Sequence, residues 1–133
     1  MNCRVEHFEE AEFLCPCCGE GKVAQVLVLW LDLLRRAWGA PVFVNSGWRC
    51  PPHNGQVGGS KSSRHMIGCA ADIRVAPATN TSRDMPQWPE FAALAARLCR
   101  LPGWEFRLYG SFIHVAVPRE EAQRLWHGQE IVL

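Results

Sequence analysis

Two short stretches of alternating side chains constrain this fold most, because each requires a strand with one buried face and one polar face. Apolar residues occupy every second position of residues 112–117, and His114 lies between them on the opposite face. Residues 69–75 follow the same period, and Asp72 stands opposite their apolar side chains. If the two strands are neighbours in register, His114 and Asp72 emerge together on one polar face. The apolar positions are Ala71, Ile73, Val75, Ile113, Val115 and Val117.

The remaining hydrophobic pattern mixes helices and strands without regular alternation. Apolar residues at helical spacing predict helices, and short β-branched runs between turn formers predict strands. In chain order, the predicted elements are a helix at 23–38, a strand at 41–45, a loop at 46–64, a strand at 69–75, a loop at 76–86, a helix at 87–100, a hairpin within 107–117 around Gly110 and Ser111, a helix at 118–126 and an edge strand at 130–133. This order predicts an α+β fold with a mainly antiparallel sheet packed on helices. The 133 residues fit one domain, 1–133, in which residues 1–22 form an irregular segment containing cysteines.

The predicted loop at 46–64 is a candidate for a functional surface. It contains four glycines, two prolines and four serines, which are residues that favour turns over regular structure. A long loop in a compact domain is usually functional, because binding and catalytic residues concentrate on loops held by a rigid scaffold. His65 follows this loop directly, and a turn at Gly68 can bring His65 beside Asp72.

Two imidazoles and one carboxylate are a common ligand set for an open zinc site. Three protein ligands leave the fourth position to water, whose pKa zinc lowers to about 7. His65, Asp72 and His114 are the residues that the two predicted strands and the turn bring together. The same pattern also fits a half-buried strand histidine and a solvated carboxylate without metal, so periodicity alone leaves both interpretations open.

Several motifs in sequence order resemble those of a known family. They are Ser63-x-His65-x-x-Gly68-x-Ala70-x-Asp72, Phe112-Ile113-His114-Val115, Ser46-Gly47-Trp48-Arg49, Asn54 with Val57-Gly58-Gly59, and Glu12-Phe13-x-Cys15. Together they resemble the zinc peptidases of the D-alanyl-D-alanine carboxypeptidase family, which includes murein endopeptidases and phage endolysins and has the hedgehog/DD-peptidase fold. The opening segment resembles a small phage-like branch of that family. The resemblance covers residues 8–117.

The resemblance implies a zinc-dependent peptidase that hydrolyses peptidoglycan peptide bonds by attack of zinc-bound water, as a D-Ala carboxypeptidase or a murein endopeptidase. It implies that His65, Asp72 and His114 hold Zn²⁺. Arg49 would bind the oxyanion of the tetrahedral intermediate, a role that suits a fixed guanidinium fork. Ser63 would donate a hydrogen bond that holds the ligand loop.

Three further residues in or near these motifs are candidates for substrate contact. They are Trp48, Asn54 and Tyr109. Trp48 fits a core position equally well, since its ring is large and apolar.

The general base is the part of the site that the resemblance does not supply. The phage-like branch usually has an Asp two residues after the last histidine ligand, where this chain has Ala116. Glu105 is the nearest acid upstream of His114 and reaches the site only if the hairpin folds back. Tyr109 can orient a water but is a poor base near neutral pH. The alternative is a non-catalytic zinc-binding module of a phage tail or lysis protein, comparable to hedgehog domains.

The seven cysteines raise the question of a second metal site or a redox site. Cys15 and Cys18 have the C-x-x-C spacing of half a structural zinc site, but no second such pair follows at finger spacing. Reduced buried thiols and a redox-sensitive cluster are the competing interpretations. A third hypothesis is therefore a cysteine-metal or redox protein built on residues 15–18.

Charge, hydropathy and the first residues set expectations for partners and location. The net charge of +1, without a basic stripe, predicts no nucleic-acid partner. The apolar stretches are too short for membrane insertion, and we expect a monomer acting on a peptidoglycan peptide. No secretory signal pattern is visible, so we expect synthesis in the cytoplasm and access to the cell wall through a holin or in a virion.

Overall fold

A four-stranded antiparallel sheet is the centre of the fold. The computed structural model describes residues 2–76 and 88–132. The strands in these residues are β1 (Asn2–Cys3), β2 (Val42–Ser46), β3 (Ala70–Val75), β4 (Glu105–Leu108), β5 (Ile113–Ala116) and β6 (Ile131–Val132). The main sheet has the order β2-β3-β5-β4, and every neighbouring pair in it is antiparallel. The predicted α+β class with a mainly antiparallel sheet is therefore confirmed.

Two longer helices supply the apolar side chains that cover one face of this sheet. The two longer helices are α1 (Gln25–Trp38) and α3 (Trp88–Leu98), and a short helix, α2 (Pro51–Gln56), lies between them in the sequence. α1 contacts α3, and the Trp30 indole N–H donates to the Leu98 carbonyl oxygen at 2.9 Å. The buried residues of α1 and α3 that join the core are Leu27, Val28, Trp30, Leu31, Leu34, Phe91, Ala92 and Ala95. Burial of each large side chain among them contributes about 1.5–3 kcal/mol relative to exposure.

The side-chain alternation predicted for β3 and β5 is confirmed. Ile73 and Ile113 are fully buried in the core, so the side chains that neighbour them along each strand face the opposite side of the sheet. Asp72 and His114 are direct partners in the β3–β5 register. The two strands are thus neighbours in the alignment that the sequence required for a shared polar face.

The prediction of an uninterrupted loop at 46–64 is wrong, because helical turns lie within it. α2 occupies Pro51–Gln56, and a 3-10 helix covers Arg64–Ile67. Prolines fill the first positions of α2, where a fixed φ and a missing N–H favour helix initiation. The glycines and serines around these prolines favour turns, so the sequence pattern predicted a loop where the short helix lies.

The terminal segments also differ in detail from prediction. The helix expected at 118–126 is a shorter 3-10 helix, Arg119–Gln123, which begins after Pro118. The strand expected at 130–133 pairs with β1 in a separate two-stranded sheet and does not extend the main one. Apart from its first residue, the loop predicted at 76–86 lies outside the described residues.

Among residues 2–76 and 88–132, no helix combines the length and the apolar character needed to cross a membrane.

Candidate metal centre

A single row of side chains crosses the main sheet and forms the base of the candidate site. Asp72 of β3 is the partner of His114 of β5, and Arg107 of β4 is the partner of His114 on the other side. Ser46 of β2 is the partner of Asp72, after an irregularity in the register of β2. Because neighbouring strands lie about 4.8 Å apart, each side chain in this row stands within reach of the next.

His65 joins this row from the 3-10 helix Arg64–Ile67. At the start of the helix, the Ser63 Oγ accepts a hydrogen bond from the backbone N–H of His65 at 3.2 Å. Ser63 therefore holds the ligand loop as an acceptor, and its predicted role as a donor stays a prediction. Gly68 ends the helix with a φ of +77°, a conformation that glycine adopts without steric cost. The turn predicted at Gly68 is thus present.

The imidazole of His65 is oriented by a backbone carbonyl behind it. Its Nδ1 lies 2.8 Å from the carbonyl oxygen of Gly47. Since that oxygen can only accept, Nδ1 carries the proton and donates it. In the neutral ring, Nε2 is then left with the lone pair that a metal requires.

Three ligand atoms converge at nearly the spacing of a tetrahedral metal site. Asp72 Oδ1 lies 3.2 Å from His65 Nε2 and 3.0 Å from His114 Nδ1, and all three atoms lie within 4.8 Å of one another. Ligands bound about 2.0–2.2 Å from a tetrahedral zinc ion are about 3.3–3.6 Å apart. These residues therefore fit a zinc ion after a small outward movement, with the fourth position open.

Arg49 holds the ligand carboxylate from the side away from the histidines. Its Nη2 donates to Asp72 Oδ2 at 3.1 Å, so Oδ1 remains the oxygen that faces the two imidazoles. Its Nε donates to Ser46 Oγ at 3.1 Å and its Nη1 to Asn54 Oδ1 at 3.4 Å. A guanidinium has five N–H donors, so two remain for a ligand.

Asp72 carries the charge that a metal ligand needs. Burial raises the pKa of its carboxyl group, but hydrogen bonds with His114 and His65 outweigh burial and hold the pKa well below its ordinary value of 3.8. Asp72 is therefore ionised at neutral pH, which is the form that binds a cation.

A cavity of about 310 Å³ opens over the three ligand atoms. Tyr109 stacks on Phe112 at one wall, with ring centroids 4.5 Å apart and 12° between the ring planes. Besides the three ligands, the cavity is lined by Arg49, Val57, Gly58, Gly59, Ser63, Arg107, Tyr109 and Phe112. Sequence reasoning missed Arg107, although counting outward from the Gly110–Ser111 turn pairs it with His114.

Glu105, the candidate base, does not line this cavity. Its carboxylate forms ion pairs with Arg64 Nε at 3.2 Å and with Arg107 Nη2 at 3.1 Å. Its partner in β5 is Ala116, two residues beyond His114. The structure therefore places Glu105 in an arginine pair beside the site, and its role as a base stays a prediction.

Trp48 and Asn54, two candidates for substrate contact, lie behind the cavity lining. The Trp48 indole N–H donates to the Met66 carbonyl oxygen at 2.8 Å, so this ring braces the segment that carries His65. Asn54 is only 3% exposed, and its Nδ2 donates to the Ser60 carbonyl oxygen at 2.8 Å. Both side chains support the site through its neighbours, whereas Tyr109 lies at the cavity itself.

Two comparisons with known proteins agree with this geometry. A sequence profile described as "Peptidase M15" matches residues 6–116, nearly the range over which the motifs show resemblance. The zinc D-Ala-D-Ala carboxypeptidase of Streptomyces albus G is 44% identical over 50 residues, which is 36% of this chain and 20% of that protein. The match thus spans a fifth of the length of that relative.

Proposed function

Because the chain belongs to the peptidase M15 family, we propose that it is a zinc-dependent peptidase acting on peptidoglycan peptides. The family and the metallopeptidase class predicted from the sequence are confirmed by the profile match over most of the chain. One observation carries the proposal: ligand atoms of His65, Asp72 and His114 converge beneath an open cavity. The name of the Streptomyces relative supports zinc as the metal and D-alanyl peptides as the substrate class.

The side chains around the ligands bind, orient and stabilise the reacting peptide. When bound, zinc supplies a Lewis acid that polarises the peptide carbonyl and lowers the pKa of water. Arg49 lines the cavity with two unused N–H donors, which can stabilise the negative charge developing on the carbonyl oxygen. The stacked wall of Tyr109 and Phe112 packs against the apolar part of the peptide and excludes water there.

Within this class, a peptide that ends in a free carboxylate fits the cavity best. Arg49 and Arg107 both line the cavity, and the Arg107 side chain is 62% exposed. A guanidinium binds a carboxylate through two parallel hydrogen bonds, and a substrate cut in the middle of a chain offers no terminal carboxylate beside the cleaved bond. We therefore favour the carboxypeptidase mode over the endopeptidase mode, in accord with the name of the relative.

Release of D-alanine from a muropeptide ending in D-Ala-D-Ala tests the proposal. The zinc-loaded protein is expected to release D-alanine, and His65→Ala is expected to abolish release and to lower bound zinc by one ion per chain. His127→Ala, at an exposed histidine away from the site, is the matched control and should behave like the wild type. Arg107→Gln should raise KM for this peptide but not for its C-terminal amide.

Glu105→Gln separates catalysis from ion pairing at that residue. Loss of a general base lowers kcat by about 10²–10⁴-fold, whereas loss of an ion pair with two arginines would change stability and leave kcat near the wild-type value. Tyr109→Phe, measured beside it, reports whether the phenol hydroxyl orients water.

A non-catalytic zinc module is the second candidate, and one observation favours it. Among the cavity-lining residues in the described part of the chain, Asp72 is the single carboxylate, and it is a ligand. Stoichiometric zinc without cleavage of any D-Ala-terminated or cross-linked muropeptide would refute the peptidase and support the module. A phage setting, with release by a holin or carriage in a virion, stays a prediction for either candidate.

A further inference from the structure

A second cluster of metal-ligating side chains lies apart from the histidine site, where the N-terminal segment meets the start of α2. The Cys50 Sγ lies 3.6 Å from the Cys15 Sγ and 3.3 Å from the Cys17 Sγ. The sulfur atoms of Cys15, Cys18 and Cys50 all lie within 4.8 Å of one another. Four thiols thus gather in one place from two segments that are 35 residues apart in the sequence.

The sulfur atoms nearest to Cys50 approach the spacing of a closed tetrahedral thiolate site. With metal–sulfur bonds of about 2.3 Å, neighbouring sulfurs of such a site are about 3.8 Å apart. The separations of 3.6 and 3.3 Å from the Cys50 Sγ to the Cys15 and Cys17 Sγ atoms are close to that value. They are well above the S–S bond length of about 2.05 Å, so the four residues are placed as free thiols.

A tight turn holds the cysteines of the N-terminal segment in this position. The Cys15 N–H donates to the Glu20 carbonyl oxygen at 2.7 Å, and the Gly19 N–H donates to the Cys15 carbonyl oxygen at 2.8 Å. The turn directs Cys15 and Cys18 towards Cys50, the residue that precedes α2. The C-x-x-C half site therefore receives its partner from a distant segment, which sequence spacing could not reveal.

The environment of Cys15 also suits a bound thiolate. Cys15 is buried, so the protein would shield a bound ion from solvent on that side. Cys17 and Cys18 are exposed, so an ion can enter from solvent.

We propose that Cys15, Cys17, Cys18 and Cys50 form a second metal site that binds a zinc-class cation through four thiolates. Four protein ligands leave no position for water, so this site is structural and not catalytic. Each thiol releases its proton when the ion binds. A nitrogen of His53 also lies within 4.8 Å of the Cys15 and Cys17 sulfurs, and the proposal assigns the fourth position to Cys17 rather than to His53.

The position of this site gives it a role in holding Arg49. Cys50 directly follows Arg49 in the chain, and the Trp48 N–H donates to the Phe13 carbonyl oxygen at 2.9 Å. An ion bound by both segments would hold the backbone around Arg49 and Cys50 to the N-terminal turn through its metal–sulfur bonds. Loss of the ion is therefore expected to loosen the backbone that positions the guanidinium at the histidine site.

Metal stoichiometry in a His65→Ala background tests this site independently of the peptidase proposal. We expect the His65→Ala protein, loaded with Zn²⁺ under reducing conditions, to keep one zinc ion per chain. Adding Cys18→Ser or Cys17→Ser should remove that ion, whereas adding Cys3→Ser or His53→Ala should not. With Co²⁺ in place of Zn²⁺, a sulfur-to-metal charge-transfer band should be present in the first protein and lost with the ion.

Two results would overturn the proposal. One is a His65→Ala protein that holds no thiol-bound ion and shows no charge-transfer band. The other is a disulfide of Cys50 that forms while zinc and reductant are both present. If the cysteine variants do not fold, titration of the folded His65→Ala protein with a mercurial reagent gives the same answer, because thiolate-bound zinc is released in step with mercury uptake.

Discussion

Gly59→Ala tests how firmly the loop after α2 positions Arg49. A Cβ at residue 59 would overlap the Oδ1 of Asn54 and lie 3.1 Å from the Arg49 Nη1. Asn54 is 3% exposed and its amide contacts both Arg49 and the Ser60 carbonyl oxygen. It therefore cannot move aside without breaking hydrogen bonds on both sides.

The magnitude follows from the two parts of this perturbation. Overpacking in a filled site costs about 1–3 kcal/mol, and a buried polar group left unpaired costs about 1–3 kcal/mol. Because movement of Asn54 relieves part of the overlap, we expect a combined loss of about 2–4 kcal/mol. For a chain of this size, that loss lowers Tm by about 6–20 °C.

Thermal unfolding and D-alanine release are the two measurements for this variant. Gly55→Ala is the matched control, because an added Cβ at Gly55 meets nothing within 4 Å and alanine stabilises a helix by about 0.5–1 kcal/mol relative to glycine. Gly59→Ala should lower both Tm and kcat/KM, whereas Gly55→Ala should lower neither. A Gly59→Ala protein that melts like Gly55→Ala and keeps its kcat/KM would refute the idea that Asn54 restrains Arg49.

Two further perturbations test the anchoring of the N-terminal segment and the buried thiols. Asp32→Ala should lower the free energy of unfolding by about 1–3 kcal/mol, since the buried carboxylate accepts the backbone N–H groups of Glu6 and His7 and pairs with Arg36 at 2.9 Å; an unchanged urea midpoint would contradict this. Burial raises the pKa of the Cys99 thiol from 9.0 to about 11, so the unfolded chain ionises first and stability should fall as pH rises through that interval. Cys99→Ala should remove this part of the slope, and parallel stability curves for wild type and variant between pH 9 and 11 would show that the thiol does not contribute.

The residues that sequence reasoning placed correctly are those governed by strand alternation. A period of two decides which face Asp72 and His114 occupy, and it excludes any register shifted by one residue, because such a shift would expose one of the two apolar faces. The hairpin turn at Gly110 and Ser111 would have extended the same logic to Arg107, which sequence reasoning missed. Local geometry was sufficient there because the strands themselves carry the side chains.

Most of the residues whose contacts sequence reasoning could not foresee lie on connecting segments. The direction of Trp48 depends on a carbonyl of the ligand loop, and the hydrogen-bonding role of Ser63 depends on a 3-10 turn that starts with it. Glu105 is the exception, since it lies on β4 and its carboxylate pairs with two arginines beside the cavity. The partnership of Cys50 with the N-terminal cysteines arises only when the chain has folded, so no spacing rule contains it.

The candidate site depends on the register of all four strands of the main sheet, because Ser46, Asp72, His114 and Arg107 form one row across it. Each of the four strands contributes one residue to the row, and a shift of one residue in any strand turns its contribution to the other face of the sheet. Substitutions within the strands can therefore be absorbed one at a time, whereas a single inserted or deleted residue in β3 or β5 separates the two ligands at once. In β2, the pairing register with β3 already shifts just before Ser46. We expect length variation among related sequences to be confined to the connections between the strands.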